Sequence, residues 1–461
     1  MLKLFAITLA LASTLTLADT RPKIKLLKFH KPQITSSQIT HLKSNKQVKW
    51  WTESSKEFLI SIHKGFINKQ VQNLKPDTFH IDPESLFFLQ GIGKKEIQSE
   101  GYTLLIFGGR TALVSGKGTI SHNNHHHRIT PFQPNQILDM PSPSHSFLKK
   151  RDENTIRVIG KLDIQKYLQD VEALAAMNRF TTSRDQPGKV ETWVANRFLE
   201  IKNLNVSTQK FTFRNTTAFN IIATQPSNVP TEDTYIIGAH FDSTSEMPEF
   251  EAPGAEDNAS GTAALFAIAK AFENNLIKAN LVFVAFGAEE QGLHGSSSYV
   301  AQQLKSENAP HIKGVLTMDM IGYRKGPRSE LLIETSRSYA NLVKTIEVES
   351  QRYSHLKTFR TYNYWGSDHV PFIDNKIPAV LLIENFYSDY PAYHRSNDLP
   401  HYINKDQAME TMKVATAVLS KWVEPTATTP PTGVKRDDKA SRQELYEPGR
   451  SAQKASTKLY H

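Results

Sequence analysis

Tyr235-Ile236-Ile237-Gly238-Ala239-His240-Phe241-Asp242 begins as an apolar run and ends in polar side chains that can bind a metal. Two further runs repeat the arrangement: residues 281–286 lead into Gly287-Ala288-Glu289-Glu290, and residues 314–318 lead into Asp319. A fourth run, 379–383, precedes the loop that carries His394. Short runs that are apolar without alternation suit strands buried on both faces, and helical segments such as 262–272 lie between some of them. The pattern predicts an α/β fold, a mainly parallel mixed sheet flanked by helices. In open sheets of this kind ligands bind beyond the carboxyl ends of the strands. Three strands thus deliver His240, Glu289-Glu290 and Asp319 to one rim, which a purely structural sheet does not require.

The 461 residues are 39% hydrophobic and 22% charged, enough to bury a sizeable core, and the length suits two or three domains. Residues 1–18 read as an export signal: Lys3, then an apolar run from Leu4 to Ala18 with small residues near its end. An uncleaved anchor is the alternative. No other stretch approaches the roughly 20 apolar residues of a membrane span. Stable membrane insertion is therefore not expected, and a secreted or periplasmic location is.

Residues 19–150 form a smaller N-terminal accessory or pro-region, 151–424 the domain that carries the rim, and 425–461 a tail expected to be disordered. Residues 19–150 hold 19 Lys/Arg against 9 Asp/Glu, which accounts for the formal charge of +9. No aromatic-basic motif accompanies that excess, so nucleic-acid binding is not expected. The stretch Lys149-Lys150-Arg151 reads as a site for a processing protease, or equally as an exposed loop. His125, His126 and His127 read as a solvated loop. The chain has no cysteine, which excludes thiolate ligands, thiol nucleophiles and disulfides. Any zinc must be held by nitrogen and oxygen alone.

His240 and Asp242 face the same way on an extended chain. A carboxylate commonly accepts the second ring N–H of a ligating histidine, so His240 is read as the ligand and Asp242 as its support. Taken alone, the pair reads better as a surface pair. Asp257 precedes the 262–272 helix and is either a helix cap or a carboxylate bridging two cations. Asn258-Ala259-Ser260 in the same loop is formally a glycosylation sequon, incidental at such a site. The adjacent carboxylates of Glu289 and Glu290 repel unless a cation or solvent separates them, and one can bind metal while the other faces water. Asp319 ends an apolar strand, where an unpaired carboxylate is costly and a cation removes the cost. His394 alone reads as a loop histidine. Together the set allows two zinc ions around a shared Asp257, with open positions that suit catalysis.

The blocks 238–243, 252–261, 285–295, 317–320, 367–369 and 394–398 resemble, in order, those of the secreted leucyl-aminopeptidase-like zinc metallopeptidases, a family that also contains glutaminyl cyclases. The resemblance covers only this zone. It implies a zinc exopeptidase fold, two Zn2+ ions, and an aminopeptidase acting on peptide or protein N-termini. It implies His240 and Asp319 on one zinc, Glu290 and His394 on the other, Asp257 bridging, and Glu289 as general base. Tyr364 matches a tyrosine that in relatives helps hold the substrate carbonyl or the intermediate, although its neighbours Asn363 and Trp365 depart from some relatives. Met320, Leu381 and Ile383 are expected to line an apolar pocket favouring Leu-like residues; they also read as plain core. A glutaminyl-peptide cyclase and a non-catalytic binding domain are the competing readings. The loop 254–261 looks like the peptidase version, and a non-catalytic relative would have lost part of the ligand set.

Overall fold

The structure is a computed structural model that describes residues 23–427 except 64–70, 72, 92–93, 117–127, 145–149, 183–187 and 214. The expected export signal, His125 to His127, Lys149 and nearly all of the tail lie outside the described residues.

The N-terminal region contains β1 (Ile24–His30), β2 (Val48–Glu53), β3 (Glu57–Ile62), β4 (Asp77–Ile81), β5 (Leu86–Gln90), β6 (Thr103–Gly108), β7 (Thr111–Ser115), β8 (Arg128–Pro131), β9 (Gln136–Ile137) and β10 (Met140–Pro141). The first nine form one sheet in the order β4-β1-β3-β2-β9 and another in the order β6-β7-β5-β8. Leu26 and Leu59 of the first pack with Phe88, Ile106 and Leu113 of the second in one apolar cluster, so the sheets lie face to face. The other face of the first sheet packs Phe29, Phe58 and Ile60 against Ile39 and Leu42 of the helix Ser36–Ser44.

The larger region contributes β11 (Asn205–Phe213), β12 (Thr216–Gln225), β13 (Thr234–His240), β14 (Asn275–Leu276), β15 (Asn280–Phe286), β16 (Ile312–Met318), β17 (Glu330–Glu334), β18 (Lys357–Thr361), β19 (Ala379–Glu384) and β20 (Thr426–Ala427). The main sheet runs β10-β18-β17-β19-β16-β13-β15-β12-β11, and its central strands β19, β16, β13 and β15 are parallel. β12, β11 and β17 are antiparallel to their inner neighbours, so the sheet is mixed with a parallel centre. Strand alternation explains the unbroken apolar runs. Leu281, Phe283 and Ala285 face the cluster shared with the helices Ile164–Ala175, Lys189–Leu199, Ser260–Phe272 and Lys405–Val423. Val282, Val284 and Phe286 face Tyr299, Val300 and Phe372 of the helices His294–Lys305 and His369–Asp374. Both faces are covered, as a parallel centre requires.

The two regions are joined within a sheet. β10 adds itself antiparallel to the edge strand β18, Met140 opposite Arg360 and Pro141 opposite Phe359. Among the described residues no helix is long and apolar enough to cross a membrane.

Candidate metal centre

Register brings the site together. Ala239 lies beside Ala285 and His240 beside Phe286, while Gly238 lies beside Thr317, so β13, β15 and β16 end at one level. His240 is the last residue of β13, and Asp319 follows β16 directly. The chain then has to turn abruptly at each exit. Ala288, Leu293, Met320 and His394 all have positive φ, between 49° and 60°, a costly backbone shape concentrated around this rim.

Two groups of donors result. His240 Nε2 lies 3.4 Å from Asp257 Oδ1 and 3.5 Å from Asp319 Oδ1. His394 Nε2 lies 3.1 Å from Asp257 Oδ2 and 3.1 Å from Glu290 Oε2. Asp257 therefore turns one oxygen toward each histidine, and within each group the candidate ligand atoms lie within 4.8 Å of one another. Asp319 Oδ1 and Glu290 Oε1 are buried without a hydrogen-bond partner. Burying three carboxylates this deeply, two of them with an oxygen unpaired, is expensive unless a cation is bound. The mixture of imidazole and carboxylate donors fits zinc.

Surrounding residues hold these donors. His240 Nδ1 lies 3.1 Å from the Asp242 backbone carbonyl and 3.7 Å from its Oδ1. The Asp242 carboxylate accepts instead from the backbone N–H groups of Glu289 at 3.1 Å and Glu290 at 3.2 Å. Ser367 Oγ donates to Asp319 Oδ2 at 2.7 Å. Asp398 accepts from the backbone N–H groups of Glu256 and Asp257 at 2.9 and 3.0 Å, fixing the loop before the Ser260–Phe272 helix. Arg179, buried, donates to the carbonyls of Leu174, Phe241, Pro253 and Gly254 at 2.5–2.8 Å. Asn258 is fully buried and donates to the Met318 carbonyl, so its sequon is a structural element of the loop.

Burial pushes the Asp257 carboxyl up, but hydrogen-bonded contact with His240 and His394 outweighs it and holds the group below the usual carboxylate range. Burial pushes Glu289 well above that range; His240 opposes the effect and Glu290 adds to it. Burial and the neighbouring Asp257 raise Glu290 to about 7 against the pull of His394.

The cleft above the donors is lined by Asp257, Glu289, Glu290, Asp319 and His394, and Met320 and Ile383 form its apolar side. Leu381 is fully buried behind them in the same apolar cluster and does not line the cleft. Tyr364 departs from expectation. Its hydroxyl donates to Asp374 at 3.0 Å, and it lines a different cavity, between the N-terminal region and residues 362–364 just after β18. That bond to the helix His369–Asp374 directs it away from the donors. The tyrosines that do line the cleft are Tyr387 and Tyr393. Sequence reasoning also missed Arg110 and Arg179, which carry no local motif, and gave Asp398, inside the block 394–398, no role of its own.

A third group, His355, Asp406 and Glu410, differs in kind. Arg324 already pairs with Asp406 at 2.7 Å and Lys413 with Glu410 at 2.5 Å, so its charge is balanced without a metal.

Residues 220–419, which contain all five donors, match the family model described as Peptidase family M28. The match spans 200 of the 461 residues and is a likeness of this segment. The chain is also similar to curated proteins. The aminopeptidase YwaD of Bacillus subtilis is 28% identical over 239 residues, 51% of this chain and 51% of that protein. A probable leucine aminopeptidase of Trichophyton verrucosum is 27% identical over 281 residues, 57% of this chain and 72% of that protein. The chain thus spans about half the length of the Bacillus relative. A crystal structure of LapA from Legionella pneumophila, 17% identical, covers 87% of this chain and 99% of that one with a TM-score of 0.52. That likeness is one of fold. It extends beyond the M28 segment into the N-terminal region, because residues after 150 cannot supply so large a share.

Proposed function

We propose that this chain is a secreted two-zinc aminopeptidase that hydrolyses the first peptide bond of peptides with apolar, Leu-like N-terminal residues. The observation that carries the reading is Asp257, with one oxygen turned toward His240 and the other toward His394. His240 and Asp319 would hold one ion, Glu290 and His394 the other, and Asp257 both. Bound zinc supplies Lewis acidity toward the scissile carbonyl and lowers the pKa of water.

The remaining chemistry belongs to the chain. The Glu289 carboxylate accepts a proton from the water that attacks the carbonyl carbon. It returns that proton to the leaving amine nitrogen as the C–N bond breaks. Asp242 holds the backbone of the Glu289-Glu290 pair, so the base and its neighbouring donor keep fixed positions. Met320 and Ile383 present an apolar wall to the substrate. Residues 19–150 serve as an accessory or pro-region, with processing near Lys149–Arg151 as the route to removal.

The test is release of leucine from leucine-amide by the zinc-loaded chain, run beside cyclisation of a glutaminyl peptide and beside an N-acetylated control. Hydrolysis only with a free α-amine is the expected result. Cyclisation without hydrolysis would overturn the assignment in favour of a cyclase. Inactivity toward both, with zinc bound, would favour a binding domain.

A further inference from the structure

The cleft contains a cation that comes from outside the M28 segment. Arg110 sits in the tight turn between β6 and β7, is only 5% exposed, and lines the cleft together with Asp257, Glu289, Asp319 and His394. Among the described residues it is the only arginine or lysine that does so.

The turn is built to hold it there. Gly109 has φ +59°, and a side chain at Gly108 would lie 2.2 Å from Asp139 Oδ1, so the hairpin tip requires two glycines before Arg110. The Arg110 carbonyl accepts from the Gly91 N–H at 3.1 Å, and the Tyr387 hydroxyl donates to the Gly91 carbonyl at 2.6 Å. The guanidinium donates through Nη2 to the Gly366 carbonyl at 2.7 Å and lies 5.3 Å from the Tyr387 ring centre.

The buried Glu334 carboxylate faces the charge of Arg110 but is too far to satisfy its N–H groups. Glu334 Oε1 is 3.5 Å from Arg110 Nη1, but the same oxygen lies 3.3 Å from His369 Nε2 and accepts the Trp365 N–H at 2.9 Å. Arg110 Nε and Nη1 are buried with no hydrogen-bond partner. A buried donor left unmade is costly, and a guanidinium fork is matched in shape and charge to a carboxylate.

We propose that, in the chain that keeps residues 19–150, Arg110 is a specificity-determining residue that binds a carboxylate of the substrate, so that the N-terminal region forms part of the working site. Two sources present that chemistry: an acidic side chain on the N-terminal residue, or the free C-terminus of a very short peptide. The proposal rests on the aminopeptidase reading and narrows its substrates.

The experiment compares the full-length zinc-loaded chain with its Arg110→Met and Arg110→Lys variants on four substrates: leucine-amide, aspartate α-amide, the dipeptide Leu-Gly and its amide Leu-Gly-NH2. A guanidinium–carboxylate contact predicts that Arg110→Met lowers the kcat/KM ratio of one carboxylate-bearing substrate over its neutral counterpart by about tenfold or more, mainly through KM. Arg110→Lys should fall between the two. Loss on aspartate α-amide identifies the side chain as source; loss on Leu-Gly but not on Leu-Gly-NH2 identifies the C-terminus. Calorimetric binding of aspartate and of glycylglycine to the same proteins gives a readout independent of turnover. It also separates failure here from failure of the aminopeptidase reading, since a wild-type chain that hydrolyses nothing sinks the latter whatever it binds. A uniform rise on all four substrates in Arg110→Met means that the side chain only obstructs the cleft, and the proposal is wrong. Unchanged ratios with unchanged binding also overturn it.

Discussion

Asp242 holds Glu290 by its backbone: Oδ2 accepts the Glu290 N–H at 3.2 Å, while Oδ1 accepts that of Glu289 at 3.1 Å. One carboxylate thereby sets the positions of the proposed base and the proposed ligand together, and its own carbonyl lies 3.1 Å from His240 Nδ1. Asp242→Asn replaces one acceptor with an NH2 group facing a backbone N–H. We expect zinc affinity or kcat to fall about 10- to 100-fold, read by zinc titration and initial rates. Wild-type values for both would reduce Asp242 to packing.

Glu289 lies beside the ligand set and is assigned no metal. Glu289→Gln is therefore expected to keep its zinc by elemental analysis while turnover falls by roughly 100- to 10,000-fold. Retained turnover would remove Glu289 from the proton path.

The split of Asp257 between two histidines predicts how zinc is lost. The wild-type chain should bind two equivalents, His240→Ala and His394→Ala one each at high affinity, and Asp257→Asn should weaken both. Chelation should lower Tm, and zinc should restore it, because an ion that binds only the folded chain stabilises it by mass action. A single equivalent in the wild type would contradict the two-ion reading.

Arg179 lies under the site and satisfies four backbone carbonyls, two of them just ahead of Asp257. Arg179→Met leaves those acceptors buried and unpaired. At about 1–3 kcal/mol per unmade buried hydrogen bond, a stability loss of at least ~3 kcal/mol is expected in urea unfolding, together with weaker zinc binding. A variant as stable as wild type would show that the loop holds itself.

The parts of this protein visible in its sequence are those governed by strand periodicity. The runs around Ile236, Val284 and Leu316 are apolar on both faces because helices cover both faces, and their polar exits fall on one rim because parallel neighbours in register end together. That is why His240, Glu290 and Asp319 stand out. The mixed directions of β17 and β12 do not show in composition, since a buried strand is apolar whichever way it runs. Tyr364 was carried by local likeness alone, and its bond to Asp374 depends on a helix that follows it. Arg110 was invisible for another reason. It reaches the cleft from a hairpin far earlier in the chain, and the hint, two glycines before an arginine between strand-like runs, states a turn but not what the turn points at.

The strand β10 has a further consequence. β18 would be the last strand of the main sheet on that side, and the pairing at Met140 and Pro141 occupies part of its outer edge. A sheet edge with free N–H and C=O groups recruits other chains. A processed form that released everything before Arg151 would uncover that part of the edge and open it to pairing with another chain.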